Sequence, residues 1–213
     1  MLAHRQPLPS PYRHRRGEQG TLPLFILLGM FALTMFLVLT YRQADRSDGR
    51  QDPAVGTRIA DFSLTTLGGS PREVRLSNLD EDVLLVNFWG TWCPPCKMEI
   101  PHLADIAAKL DGRPDFRLVS ISCGAGRQEN VDTLRTQTRN FLTTNRIRIP
   151  HLYADPDFSA RSTIFKALNN GGYPTTVVLD RDRVIRGVWV GYQLGDEAAM
   201  QHLIEDLLRN GGR

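Results

Sequence analysis

The sequence contains few cysteines, and this scarcity excludes two classes of protein. Only three occur in 213 residues, whereas small secreted scaffolds that are held together by disulfides use many more. A structural zinc site takes four protein ligands, often as two closely spaced pairs. Here Cys93 and Cys96 form one pair and only Cys123 is left over, so the cysteines do not supply such a site.

Concentrated positive charge is also missing. The formal net charge is +3, and the arginines are spread along the chain with no basic patch or aromatic platform. Nucleic acid is therefore not expected as a partner. No internal repeat is visible. Without its N-terminal segment the chain keeps roughly 160 residues, which is the size of one ordinary domain with a sizeable core.

What the sequence does contain is a cysteine pair at a strand-to-helix junction. The apolar residues 83–88 predict a buried strand, and W-G-T-W-C-P-P-C-K follows at 89–97. Two intervening residues let the sulfurs close into a disulfide or open to a dithiol, while the helix N-terminus stabilises negative charge on the first sulfur. We therefore predict Cys93, exposed at the start of the helix, as the attacking thiolate. Cys96, one turn deeper and less exposed, is predicted as the thiol that resolves the mixed disulfide. An inert structural disulfide is the alternative.

Residues 87–101, N-F-W-G-T-W-C-P-P-C-K-M-E-I-P, resemble the active-site strand and helix of thioredoxin-like proteins. The resemblance is closest to the TlpA-like group of membrane-anchored thiol-disulfide oxidoreductases and extends from about residue 54 to 208. It implies a thioredoxin-like α/β fold, in which helices flank a central mixed sheet, with an N-terminal hairpin and a central helical insertion. It also implies that the partners are protein dithiols and disulfides, that a membrane electron donor serves the pair, and that no cofactor or metal is needed. Most relatives of this kind are reductants, in cytochrome c or metal-site assembly.

The same resemblance implies a second element of the site. The stretch 171–176, G-G-Y-P-T-T, is similar to the cis-proline loop that faces the cysteine pair in these proteins. Tyr173–Pro174 is accordingly expected as a cis bond that places the Tyr173 backbone beside Cys93. Pro174 joins the catalytic residues on this basis, while Trp92 and Tyr173 are expected to contact the substrate. An ordinary trans proline at the start of a strand is the alternative.

Two departures from the family pattern concern the proton that must leave Cys96. Soluble thioredoxins commonly place a buried Asp in the strand before the pair, where this chain has Asn87. Some TlpA-like proteins instead have a Glu just after the next strand, but here the nearest acid is Glu129. Water and Glu99 remain candidates for the proton acceptor. Cys123 is expected to be a buried packing residue, with a third redox thiol as the alternative.

The N-terminal part of the chain predicts a membrane anchor. Residues 22–41 carry no charge, and at 1.5 Å per residue they span about the 30 Å hydrocarbon core. We predict a disordered cytoplasmic segment at 1–20, a single-span anchor at 21–41, a polar linker at 42–53 and the catalytic domain at 54–213, outside the cytoplasm. Four arginines precede the span and three follow it, which is a small positive-inside bias. A cleaved signal peptide is the alternative, although its apolar region would be shorter.

The spacing of apolar residues along the chain predicts the remaining strands and helices. An entry hairpin is expected from 59–65 and 73–76, and a second hairpin from 175–179 and 184–190. Further strands are expected at 116–122 and 149–154, and helices at 128–144, 158–168 and 196–208. The strand before the cysteine pair and the strand after its helix should be parallel.

Two other function classes stay open. A copper-delivery protein of the Sco-like kind shares the fold and the anchor, but it has a CxxxC pair with a distant histidine. A peroxidase of the peroxiredoxin-like kind shares the entry hairpin, but it has a threonine three residues before its reactive cysteine, where this chain has Gly90.

Overall fold

The computed structural model describes residues 22–47, 49–69, 72–126 and 129–212. The chain divides into two units, residues 1–43 and 44–213. The N-terminal segment that we predict at 1–20 lies outside the described residues.

Helix α1 spans Leu22–Ser47 and includes the predicted anchor. Its side chains are described for residues 24–39, and its large apolar side chains in that range are exposed. The described residues contain no helix that is both long enough and apolar enough to cross a membrane.

The second unit alternates strands and helices around one sheet. The strands are β1 (Ser63–Thr66), β2 (Glu73–Arg75), β3 (Val83–Trp89), β4 (Phe116–Ser122), β5 (Leu152–Ala154), β6 (Thr175–Leu179) and β7 (Ile185–Val190). The helices are α2 (Pro94–Lys109), α3 (Val131–Thr144), α4 (Ser159–Ala167) and α5 (Asp196–Arg209). All strands and helices that the sequence predicts for this unit are confirmed, with ends that differ by a few residues.

The sheet has seven strands in the order β2-β1-β5-β4-β3-β6-β7. The central strands β3, β4 and β5 run parallel, as the strand-helix-strand order predicts, and the outer pairings are antiparallel. Because β3 and β4 are parallel, their carboxyl ends meet at one edge of the sheet. The cysteine pair follows β3, and Cys123 follows β4, at that edge.

Strand β3 is buried along its whole length because both faces of the sheet are covered. Successive side chains of a strand point to opposite faces. Leu84, Val86 and Phe88 therefore pack in the core on one face, which includes residues of α4. Leu85 and Trp89 pack on the other face, in a core cluster that also contains Cys93 and Cys96 and residues of α2 and α5.

The region that we predict as a polar linker is largely folded. Helix α1 continues to Ser47, and Gly49–Gln51 form a short 3-10 turn. A Cβ atom at Gly49 would lie 2.6 Å from the Trp189 ring, so only glycine fits this close approach to β7. Arg50 forms an ion pair of 2.7 Å with Asp206 on α5. The second unit begins at Ala44, whereas the sequence predicts the start of the catalytic domain at residue 54.

The predicted helical insertion is confirmed as α3, which begins three residues later than expected. Asn130 sets this start because its side chain accepts a hydrogen bond of 2.9 Å from the amide of Thr133, a standard N-cap. The buried residues Leu134, Thr138 and Leu142 repeat every four positions and cover the sheet. Helix α3 therefore contributes to the core on the face that it presents to the strands.

Candidate active site

A disulfide between Cys93 and Cys96 begins helix α2. Cys93 is the N-cap residue, and its sulfur accepts a hydrogen bond of 3.3 Å from the amide of Cys96. Pro94 and Pro95 fill the first helical positions, where a missing N–H costs little and a fixed φ suits the turn. The sequence therefore places the first sulfur directly at the positive end of the helix dipole.

The two cysteines are more enclosed than the sequence predicts. Cys93 is only 3% exposed and Cys96 is fully buried. The expectation that Cys93 is the outer member of the pair is confirmed, but the expectation of an exposed Cys93 is wrong for the disulfide form. Cys93 packs in the core cluster around the start of α2, against which Tyr173 also packs. A partner must therefore reach the sulfur through a small opening or displace a loop.

Trp92 is one of the few large apolar side chains that the second unit exposes, at 44%. Its indole N–H donates a hydrogen bond of 2.9 Å to the carbonyl oxygen of Cys123. This bond passes directly over Gly90, where a Cβ atom would lie 2.4 Å from the indole nitrogen and 2.7 Å from that carbonyl oxygen. Gly90 is thus required for the close approach of the loop after β4 to the loop that carries Cys93.

The predicted cis bond at Tyr173–Pro174 is confirmed. Tyr173 is half-buried and packs against the core cluster that contains both cysteines of the pair. Its ring meets the ring of Trp92 edge to face, with 5.2 Å between centroids. The carbonyl of Pro174 accepts a hydrogen bond of 2.8 Å from the amide of Gly191, which ties the loop to the end of β7. Trp92 and Tyr173 are therefore brought together as one aromatic surface beside the disulfide.

Behind the disulfide lies a buried carboxylate, Glu99, one helical turn after Cys96 and on the same side of α2. The side-chain amide of Asn87 donates to one Glu99 oxygen at 2.9 Å, and the hydroxyl of Thr176 donates to the other at 2.9 Å. Asn87 and Thr176 are neighbours across β3 and β6, and the same amide also donates to the Thr176 hydroxyl at 2.8 Å. Burial raises the pKa of Glu99 to about 7, against the lowering effect of these two hydrogen bonds.

This arrangement explains the departure at Asn87. The strand supplies a neutral amide, and the carboxylate reaches the same place from the helix. The sequence shows Glu99 three residues after Cys96, but it does not show the hydrogen bonds, which depend on the pairing of β3 with β6. Thr176 was missed for the same reason.

A second buried polar group lies behind the loops of the site. Arg161 on α4 is 4% exposed and bonds to Asp155, Glu129 and the hydroxyl of Tyr173. Sequence analysis missed Arg161 and Asp155, since an arginine in a helix is normally a surface residue. Cys123 is buried nearby, and burial raises the pKa of its thiol to about 12. This burial agrees with the expected packing role of Cys123.

Comparison with known protein families decides the class. The model described as the AhpC/TSA family matches residues 55–188. The chain belongs to the AhpC/TSA family. The thiol-disulfide oxidoreductase ResA of Bacillus subtilis is 37% identical over 143 residues, which cover 67% of this chain and 71% of that protein. The thioredoxin-like protein YneN of Bacillus subtilis is 27% identical over 168 residues, 79% of this chain and 86% of that one.

A solved structure agrees with this assignment. The crystal structure of a thiol:disulfide interchange protein of the thioredoxin family from Chlorobium tepidum superposes with a TM-score of 0.53 and 26% identity, covering 72% of this chain and 97% of that one. This chain therefore has the thioredoxin-like fold that its sequence predicts. It is a thiol-disulfide oxidoreductase of the ResA type.

A copper-delivery protein needs a group of side chains that can bind a metal ion. Within the four described ranges, no three His, Cys, Asp or Glu side chains converge as the ligands of a metal ion would.

Proposed function

We propose that the Cys93–Cys96 pair exchanges disulfides with partner proteins outside the cytoplasm and acts as a reductant. The observation that carries this proposal is the disulfide at the start of α2, with the aromatic pair Trp92 and Tyr173 beside it and the buried Glu99 one helical turn after Cys96. The two aromatic side chains suit recognition of a polypeptide, and the buried carboxylate suits proton transfer.

In the reduced protein the Cys93 thiolate attacks a partner disulfide. A bond forms between the Cys93 sulfur and one partner sulfur, and the other partner sulfur leaves as a thiolate that takes up a proton. Cys96 then loses its proton and attacks the Cys93 sulfur. The intramolecular disulfide forms, the partner leaves as a dithiol, and two electrons have passed from the pair to the partner.

Glu99 is the group that we propose as the acceptor of the Cys96 proton. A general base works best when its pKa lies near the working pH, and burial brings the pKa of Glu99 to about 7. The side chains of Asn87 and Thr176 hold both carboxylate oxygens in place. Water is the other candidate from the sequence, but proton transfer to water would not require the hydrogen bonds that hold Glu99.

The distribution of apolar surface supports a polypeptide as the partner. Outside α1, the described residues expose four large apolar side chains: Trp92, Met98, Val190 and Leu194. Trp92 precedes Cys93, Met98 lies on α2, and Val190 pairs with Thr175 next to Pro174. The loop that contains Leu194 is joined to α2 by the stacked rings of Tyr192 and His102, 5.7 Å apart. An apolar rim of this kind around a redox pair is suited to docking a chain segment.

Trapping of partners tests the roles of the two cysteines. Cys96→Ser keeps the attacking sulfur and removes the resolving one, so it should accumulate mixed disulfides through Cys93. Cys93→Ser should trap almost none, and Cys123→Ser is the matched control that should behave as wild type. Non-reducing electrophoresis of extracytoplasmic extract measures the adducts, and mass spectrometry assigns the linkage. Equal trapping by the Cys93 and Cys96 variants would contradict the assignment of Cys93 as the attacking cysteine and Cys96 as the resolving one.

The reductant role has its own measurement. A reductant requires a potential more negative than that of its partners' disulfides. Equilibration of the purified protein with glutathione redox buffers gives the potential of the Cys93–Cys96 couple. A value near that of strong oxidants such as DsbA, about −120 mV, would reverse the proposed direction and leave the exchange chemistry intact.

Membrane attachment and an extracytoplasmic location remain proposals that depend on the sequence of residues 21–41. Their support is the uncharged stretch 22–41 and the exposed apolar side chains of α1 at 24–39. The full chain should stay in the membrane fraction after alkaline carbonate washing, and deletion of residues 1–41 should release it. A protease added outside spheroplasts should digest the catalytic domain. Release of the full chain by carbonate would contradict the anchor.

A further inference from the structure

Two loops beside the disulfide are held by the same buried guanidinium group. Arg161 donates from Nη1 to the hydroxyl of Tyr173 at 3.2 Å and forms an ion pair from the same nitrogen with Glu129 Oε1 at 2.9 Å. That glutamate oxygen also accepts a hydrogen bond of 2.6 Å from the amide of Gly124. Arg161 is thus connected to the loop that carries Pro174 and to the loop that follows β4.

Both connections continue to aromatic residues at the surface of the site. Gly124 follows Cys123, whose carbonyl oxygen accepts the indole N–H of Trp92. Tyr173 contacts Trp92 directly, ring against ring. A shift of the Arg161 side chain would therefore change the position of Tyr173 on one side and of Trp92 on the other.

Arg161 is itself firmly positioned. Its Nε donates to Asp155 Oδ2 at 3.0 Å, and the Asp155 carboxylate also accepts the amides of Ala160 and Arg161 at 3.0 and 2.9 Å. The guanidinium carbon lies 3.8 Å from the centre of the Phe158 ring. Because the planar guanidinium is fixed from three directions, its donors point at defined acceptors.

The geometry differs from that of an ion pair that serves stability alone. A carboxylate and a guanidinium pair most strongly through two parallel hydrogen bonds. Here Nη1 is divided between Glu129 and Tyr173, and Glu129 Oε2 is buried with no hydrogen-bond partner among the described residues. The two bonds of Arg161 Nη1 are those that connect the two loops.

We propose that Arg161 is a positioning residue of the thiol-disulfide exchange site, which holds Trp92 and Tyr173 in the arrangement that receives a protein disulfide. The inference rests on the proposed function, since it assumes that these two aromatic residues contact the substrate. It assigns no chemical step to Arg161, which touches neither cysteine of the pair.

The test compares a protein disulfide with a small one. The full chain, with dithiothreitol as electron donor, is assayed on fluorescently labelled insulin and on 5,5′-dithiobis(2-nitrobenzoate). Arg161→Lys keeps the charge but loses the planar guanidinium. Tyr173→Phe keeps the ring but loses the hydroxyl that accepts the hydrogen bond. In both variants KM for insulin should rise about fivefold, and the ratio of insulin to small-disulfide efficiency should fall by the same factor. Both variants break the same hydrogen bond, the one between Arg161 and Tyr173. The double variant should therefore be no more impaired than the more impaired single variant.

Arg117→Lys is the matched control. Arg117 forms an ion pair with Glu81 near the beginning of β4, whereas Cys123 and Gly124 follow its end. This variant makes the same arginine-to-lysine change in another ion pair and should leave KM for insulin unchanged. A fivefold increase in KM for Arg117→Lys as well, or equal losses on both substrates in the Arg161 variant, would show a merely structural role and overturn the inference.

The outcome also separates the inference from the function on which it rests. A wild-type protein that reacts with the small disulfide but not with insulin would overturn the proposed function, and the inference with it. Wild-type activity on insulin together with an unchanged KM in Arg161→Lys and Tyr173→Phe would overturn the inference alone.

Discussion

Two buried glutamates lie close to the redox pair in different chemical settings. Glu99 is held only by neutral donors, the amide of Asn87 and the hydroxyl of Thr176, whereas Glu129 is bonded to a guanidinium and a backbone amide. Burial raises the pKa of both carboxyl groups, and the Arg161 charge opposes this rise only at Glu129. The neutral setting leaves Glu99 free to exchange a proton. The charged setting makes Glu129 a structural connection between loops.

The largest effect is expected where the charged setting loses its cation. Arg161→Met would leave Glu129 and Asp155 buried without a counter-charge, and breaking a buried ion pair in this way costs about 3–5 kcal/mol. Urea unfolding of the full chain, followed by far-UV circular dichroism, measures the free energy of unfolding.

Arg117→Met serves as the control for this measurement. Its ion pair with Glu81 is partly exposed, with side chains 24% and 11% accessible, so it should cost clearly less than the loss at Arg161. Equal losses in the two variants would mean that burial of the Arg161 cluster contributes little, and the contrast between the two glutamates would weaken.

The neutral surroundings of Glu99 should make the stability of the protein fall as pH rises. The folded-state pKa of Glu99, about 7, lies above its ordinary value of 4.5. Below about pH 4 the group is protonated in both states, and no penalty exists. Between the two pKa values Glu99 is ionised in the unfolded chain but keeps its proton in the folded one. The free energy of unfolding therefore falls by about 1.36 kcal/mol per pH unit, or about 3 kcal/mol in total. Glu99→Gln should remove this loss.

The comparison is made as a difference between variants, because carboxylates such as Asp61 and Asp115, whose pKa values are lowered, lose stability in the opposite direction as pH falls. Denaturation of wild type and Glu99→Gln from pH 4 to 8 isolates the Glu99 contribution. The exposed Glu73 provides the control, and its Gln variant should follow wild type. Parallel curves for wild type and Glu99→Gln would show that Glu99 titrates normally.

Kinetics should separate the two glutamates next. If Glu99 accepts the Cys96 proton, Glu99→Gln should slow release of the partner from its mixed disulfide about 100-fold, the lower range for a general base. Glu129→Gln keeps the acceptor for Gly124 and should affect KM more than release. Single-turnover release of labelled insulin, monitored by acid quench, measures the step. Slow release in Glu129→Gln and normal release in Glu99→Gln would exchange the two roles.

The sequence predicts the parts of this site that are local and misses those that depend on strand pairing. The strand, the cysteine pair and the helix are contiguous, so residues 83–97 are enough to place Cys93 and Cys96. Apolar runs and apolar alternation are also local, and together they predict all seven strands of the sheet. Thr176 reaches Glu99 only because β6 pairs with β3. Arg161 reaches Glu129 and Tyr173 across the chain from α4, a contact that no spacing in the sequence reveals.

Solvent exposure was misjudged at Cys93 for a related reason. A helix N-cap is normally accessible, but Cys93 is packed in a core cluster to which α5 and Tyr173 also contribute, and these come from distant parts of the chain. The cis bond at Pro174, by contrast, was predictable from the resemblance, because the motif at 171–176 identifies that loop without any knowledge of its contacts.

The smallest effect is expected at Cys123, which is buried close to the charged groups Arg161, Glu129 and Asp155. Its thiol is fully buried and its pKa is raised to about 12, so it stays protonated and unreactive at neutral pH. In the reduced native protein, limiting iodoacetamide should label Cys93 first and Cys123 only after unfolding. Cys123→Ala should lower stability by about 1 kcal/mol, because it leaves a small cavity, while partner trapping in the Cys96→Ser background stays unchanged. Native labelling of Cys123 at the rate of Cys93, or adducts linked through it, would make it a third redox thiol, and Arg161 would then lie beside a reacting sulfur rather than behind a loop.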